Sequence, residues 1–223
     1  MCIRDSYLLL IFCSSVTLSQ AQYTSAGESD PEALSLLKAV KSAYMTNGAK
    51  KINFTLEMEF PGQAKESQPG TLIQSGEKFV LEMQGRKIIS DNEQVWMYVE
   101  ELNEVQINDA DFEDTGDFMS PSDIFRLDES DQFLFALSDY GKEGGKDVTY
   151  IEGKPLDDFN DFAKMRLAVI NSSNQVHHLK IFMKDGSRHT LTFSSESPCE
   201  TSNKTFTFDP KEYEGIHIED LRF

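Results

Sequence analysis

The sequence predicts a mainly β protein: a strongly curved antiparallel sheet of about eleven strands that closes on itself, with helices over its mouth. Three observations lead there. One amphipathic helical pattern near the N-terminus gives way at Ile52 to a period of two. Short turn-forming pairs then separate one alternating segment from the next, which implies neighbouring strands in a meander. Two short helical pieces cannot cover both faces of so many strands, so the sheet must curl and bury apolar side chains against itself.

The helix opens at Asp30-Pro31, with Asp as cap and Pro at the first helical position. Ala33, Leu37, Val40 and Tyr44 share one face, Leu34 and Leu36 widen it, and Asn47-Gly48 stops it. Ile52, Phe54, Leu56, Met58 and Phe60 then alternate with Asn53, Thr55, Glu57 and Glu59, a strand with one dry face and one wet face. Pro61-Gly62 ends it, and further strands are expected at 69–74, 78–84, 86–90, 94–99 and 104–108. The middle breaks the rhythm. An acidic loop, Asp109 to Asp117, precedes a helix start with Ser120 as cap and Pro121 first, whose apolar side holds Ile124, Phe125 and Leu127. Phe133 to Leu137 reads as another short helical turn, and Gly141 to Gly145 as a flexible connection. Strands resume at 147–152, 164–170, 176–183 and 188–194, with a last one at 205–208. Asp185-Gly186 and the stretch from Asn171 to Asn174 mark two of their turns.

The chain has 223 residues, enough for one domain with a sizeable core. Its 21 Lys+Arg against 38 Asp+Glu give a net charge of −17, which repels phosphate backbones and anionic headgroups. Nucleic acid and electrostatic adhesion to a membrane are thereby disfavoured as partners. The apolar run from Tyr7 to Leu18 is too short to span a bilayer and ends in Ser19-Gln20-Ala21, a small-x-small cleavage pattern. Residues 1–21 are therefore expected to be an export signal, and 22–223 a single domain, soluble outside the cytoplasm. The rival reading, a lipid anchor on Cys13, meets bulky Phe12 where a small residue is normal. Cleavage leaves Cys199 as the one cysteine, so neither an internal disulfide nor a cysteine zinc cluster is expected.

No motif in the sequence carries catalysis, with neither a G-x-S-x-G elbow nor an H-E-x-x-H helix present. The chain reads as a non-enzyme without cofactor or metal. His177 and His178, adjacent on a strand, should point to opposite faces and so fail to share a metal. Asp109-x-Asp111-x-Glu113 departs from a calcium loop, since Asp114 takes the glycine position. More informative are the dry faces. Phe54, Leu56, Met58 and Phe60 continue as Phe79, Leu81 and Met83, with Trp96 and Tyr98 near them in sequence. Such rows fit either a filled sandwich core or an apolar cavity lined by soft Met and Phe.

Two motifs carry a resemblance. Ile89-Ser90-Asp91-Asn92-Glu93-Gln94-Val95-Trp96-Met97-Tyr98 resembles the "SDG…W.Y" hairpin of LolA, the periplasmic lipoprotein carrier family. Phe206-Thr207-Phe208-Asp209-Pro210, followed by Gly215-Ile216-His217-Ile218-Glu219-Asp220-Leu221-Arg222, resembles its "FTF.P..GV.V.D.R" ending, and Ser120-Pro121 with Ile124-Phe125 falls where that family has a lid helix. The resemblance implies an incomplete antiparallel barrel with a helical lid over an apolar cavity. It implies a monomeric periplasmic carrier of acylated outer-membrane lipoproteins, loaded by an inner-membrane ATP-driven release complex and unloaded to an outer-membrane acceptor. Phe79, Leu81 and Met83 would line the cavity together with Phe54, Leu56, Met58, Phe60, Trp96 and Tyr98, and Leu34, Leu37, Ile124 and Phe125 would form the lid. The same cavity would also serve another amphiphile, such as a glycolipid or a pigment precursor, whereas a filled core would make the chain a β adaptor. The chain departs from the family pattern in two places: Gln74-Ser75-Gly76-Glu77 lacks the Arg that usually latches the lid, and Asn92 stands for a turn glycine.

Overall fold

The structure is a computed structural model that describes residues 28–45, 48–110, 121–157 and 161–222. The expected signal segment with its cleavage point near Ala21, the Ser120 cap and most of the acidic loop lie outside the described residues.

Helix α1 spans Pro31–Met45 and buries the expected face, Ala33, Leu37, Val40 and Tyr44. Asp30 caps it by accepting the Glu32 N–H at 2.9 Å. Six strands follow: β1 Lys50–Glu59, β2 Glu66–Ser75, β3 Lys78–Met83, β4 Arg86–Ser90, β5 Gln94–Val99 and β6 Glu104–Asp109. Helix α2, Pro121–Phe125, and a 3-10 turn at Leu127–Glu129 come next. Five long strands complete the body: β7 Phe133–Glu143, β8 Lys146–Pro155, β9 Phe162–Ile170, β10 Val176–Met183 and β11 Arg188–Pro198. Two 3-10 turns, Asn203–Phe206 and Pro210–Glu212, lead to a short β12, His217–Asp220.

All twelve strands form one curled, unclosed sheet in the order β12-β6-β5-β4-β3-β2-β1-β11-β10-β9-β8-β7. Pairing is antiparallel throughout except that β12 runs parallel to β6. The two halves of the meander join at β1 and β11, where Lys50 lies opposite Pro198 and Glu59 opposite Arg188. The curl is evident in the main core. Phe79 and Leu81 of β3 share one buried cluster with Phe135 of β7 and Ile151 of β8, far away in the strand order, and with α1 and α2. That cluster therefore fills the concave face. A second cluster, Val80, Ile89, Trp96, Val105, Phe206 and Phe208, lies on the opposite, convex face beneath the C-terminal segment.

The structure corrects three expected elements. Phe133 to Leu137 is the start of β7, not a helical turn: Phe133 and Phe135 are buried at a period of two. The expected flexible connection is the tip of the β7–β8 hairpin, where Gly144 (φ 54°) and Gly145 (φ 80°) adopt the left-handed backbone that a tight two-residue turn needs. The expected strand at 205–208 is instead a 3-10 turn and an extended stretch whose aromatic side chains cover the convex face, and the final strand comes later, at His217–Asp220. At Asn92 the backbone takes φ 75°, which Asn tolerates in place of glycine.

Candidate amphiphile-binding face

The pleat of β1 sets Ile52, Phe54, Leu56 and Met58 on the concave side, and Phe60, just past its end, lies beside His189. Ile52 lies opposite Leu72, and Phe54 lies opposite Gly70 on β2 and Phe193 on β11. A Cβ at residue 70 would stand 2.3 Å from the Phe54 ring, so glycine there leaves the space the ring occupies. Further along, Leu137, Ile151, Leu167, Leu179, Leu191 and Leu56 stand opposite one another on β7, β8, β9, β10, β11 and β1. This aliphatic row crosses half the sheet.

Two helices cover only part of that face. Phe54, Phe79 and Leu81 are buried beside Leu37, Ile124 and Phe125, and Leu34 packs partly against the same cluster. The expected lid residues thus converge with the expected cavity residues of β1 and β3. The Phe125 ring stacks on Tyr44 at 3.8 Å between centroids and lies 6.0 Å from Phe193. The Tyr44 hydroxyl accepts the Val176 N–H at 3.0 Å. Burial first, then the charge of Glu196, pushes its phenol above the ordinary range, so it stays neutral. Leu56, Met58 and Phe60 are only half-buried, as are Ile181 and Leu191. They form an uncovered apolar surface toward the far end of β1.

Trp96 and Tyr98 do not belong to this face. Trp96 lies opposite Ile89 and Ile107 and is buried on the convex side with Phe206 and Phe208. The Tyr98 and Tyr213 rings are 4.5 Å apart, and Tyr213 stacks on Phe208 at 4.8 Å. The hairpin motif and the tail motif therefore meet as a second core. Concave residues that sequence reasoning missed include Leu137, Ile151, Leu167 and Leu179 of the row above, and Ile181, Leu191 and Phe193. The alternation of Leu191 and Phe193 with Thr190 and Thr192 was the available signal.

An ionic clasp joins the two helices to the sheet. Arg126, just after α2, pairs with Glu77 at the β2–β3 turn at 3.1 Å and donates through Nε to Glu129 at 2.7 Å. Lys41 of α1 also pairs with Glu129. The Gln74–Glu77 stretch thus offers a carboxylate to the arginine that follows α2. Hydrogen bonds from Lys41 and Arg126 hold the Glu129 carboxyl below the usual range.

His177 and His178 correct a further expectation. The register shifts between Val176 and His178, a bulge that brings both side chains to one carboxylate. His178 Nε2 lies 3.2 Å and His177 Nε2 3.4 Å from Glu143, which also accepts the Tyr150 hydroxyl at 2.5 Å. Among the described residues no group of three or more His, Cys, Asp or Glu side chains is arranged to hold a metal ion. Nor is any described helix long and apolar enough to cross a membrane.

The fold and this face define a class: an open antiparallel half-barrel with helices laid over part of its concave side. No protein-family model matches the chain, and no curated protein matches it either. Solved structures do. An uncharacterized conserved protein from Thermus thermophilus superposes with a TM-score of 0.60 at 13% identity, covering 86% of this chain and 99% of that one. A DUF1329 family protein from Desulfovibrio piger gives 0.50 at 12% identity, covering 84% and 100%. A LolA superfamily protein from Nitrosomonas europaea is also similar, at 0.46 and 14% identity, covering 79% and 98%. At these identities the likeness is one of fold.

Proposed function

We propose that this protein is an exported, periplasmic, monomeric carrier that holds the acyl chains of lipoproteins on its concave face and ferries them from the inner to the outer membrane. One observation carries this reading: the apolar concave face is buried under two helices around Phe54, Phe79 and Leu81 and left half-exposed at Leu56, Met58 and Phe60. A folded core has no need of such an uncovered surface. Burying a methylene returns ~0.8 kcal/mol, so a ~14-carbon chain is worth on the order of 10 kcal/mol against water. The membrane offers the same return. Loading therefore needs an outside energy source, in this reading an ATP-driven release complex in the inner membrane, and unloading needs an acceptor at the outer membrane. No chemical step and no cofactor are involved. A helical lid that reopens at modest cost keeps the face from becoming a trap.

Mass spectrometry of lipid co-purified from the native host tests the cargo. Acylated lipoprotein is expected, whereas a glycolipid or pigment precursor would assign a different amphiphile. Met58→Glu tests the face. Met58 is half-buried, so the fold should persist, while a charge among apolar side chains should weaken binding of a fluorescent acyl probe about tenfold or more. Unchanged probe affinity in a folded variant would overturn the reading.

A further inference from the structure

The uncovered end of the concave face is not wholly apolar. On β11, His189 shares the side of Leu191, and it stands opposite Met58 on β1 and Ile181 on β10. The Phe60 ring lies edge-on to it, 6.1 Å between centroids. Its Nε2 is buried and has no hydrogen-bond partner among the described residues. A buried polar atom without a partner costs free energy, and it is tolerated where something else supplies the partner. Gln74 Oε1 is also without one among the described residues, but Gln74 is fully buried, whereas His189 lies beside the exposed part of the apolar row.

We propose that His189 Nε2 donates a hydrogen bond to the carbonyl that joins an acyl chain to its headgroup, an ester or an amide, and so sets how deep the chain sits. The inference rests on the carrier reading and adds the ligand chemistry: acyl amphiphiles over alkyl ethers. With the chain along the aliphatic row and the carbonyl at His189, the headgroup falls outside the rim of the sheet.

The test compares a sugar lauroyl ester with the dodecyl ether of the same sugar, each displacing a fluorescent acyl probe from the full protein. One neutral hydrogen bond should favour the ester by about three- to tenfold. His189→Leu should bring that ratio to about one, and His189→Gln, which keeps a donor, should restore part of it. Equal affinities in the wild type, or an unchanged ratio in His189→Leu, overturn the assignment of His189 alone. If neither compound displaces the probe from the wild type, the carrier reading fails and this inference falls with it.

Discussion

Phe125 bears more of the lid's contact than its short helix suggests. Its ring is 1% exposed, stacked on Tyr44 and close to Phe193, so one side chain ties α2 to α1 and to the sheet. Truncating a buried Phe to Ala costs about 3–5 kcal/mol in a core. If α2 is a lid, that cost appears as opening: Phe125→Ala should bind more hydrophobic dye while the main thermal transition moves little. Unchanged dye binding with several kcal/mol lost from global stability would make α2 ordinary core. His178 makes a second prediction at this scale. Burial lowers its folded pKa, while Glu143 opposes and His177 and Lys180 add to the lowering. The unfolded chain then takes up the proton first as pH falls, so the folded state loses stability below the ordinary His value of about 6.5. Wild type should therefore fall behind His178→Gln in chemical denaturation between about pH 7 and pH 5. A constant gap across that range would sink the assignment.

At the scale of elements, the clasp is the part that sequence pattern hid. Arg126, Glu129, Lys41 and Glu77 come from three separate segments, and nothing in their spacing announces that they meet. All four side chains are 31–45% exposed, so each pair is worth about 0–1 kcal/mol. Arg126→Ala should raise hydrogen exchange of the α2 amides only severalfold, and a double-mutant cycle with Glu77→Ala should show weak positive coupling. Additive effects would mean that the pair contributes nothing to closure. The helix α1 and the strand alternation of β1 were legible, because one wet face and one dry face give a clean period. Trp96 and Tyr98 went to the wrong side for the opposite reason. Phe79, Val80 and Leu81 of β3, two strands from β5, are all buried, so this part of the sheet is apolar on both faces and parity alone names neither. The run of apolar residues opening β7 has the same defect. The bulge at His177 leaves no trace in composition, since it is set by the partner strand.

For the whole molecule the net charge of −17 outweighs any single ion pair. Self-repulsion of that size weakens the compact state and is screened as the Debye length falls from ~10 Å at 0.1 M salt to ~3 Å at 1 M. Global stability should therefore rise with sodium chloride, while opening of α2 becomes easier because its exposed ion pairs are screened too. Thermal melts and α2 hydrogen exchange followed over the same salt series should move in opposite directions. Movement in the same direction would show that the clasp does not govern the lid. The curl of the sheet was legible as a burial argument, but its seam was not, because no turn connects β1 to β11.

That seam has a consequence for how the chain reaches its fold. Strands β1 and β11 pair residues as far apart as Lys50 and Pro198, and β12, His217–Asp220, covers the β6 edge. Neither pairing can form on a ribosome that has not finished the C-terminal third. Among the described strands the other nine pairings join consecutive strands, so these two distant ones close late, and non-local β pairing is slow, on the order of milliseconds to seconds. The sheet therefore cannot close its seam until β11 has been made. In the export reading proposed above, late closure of this seam favours passage across a membrane before folding.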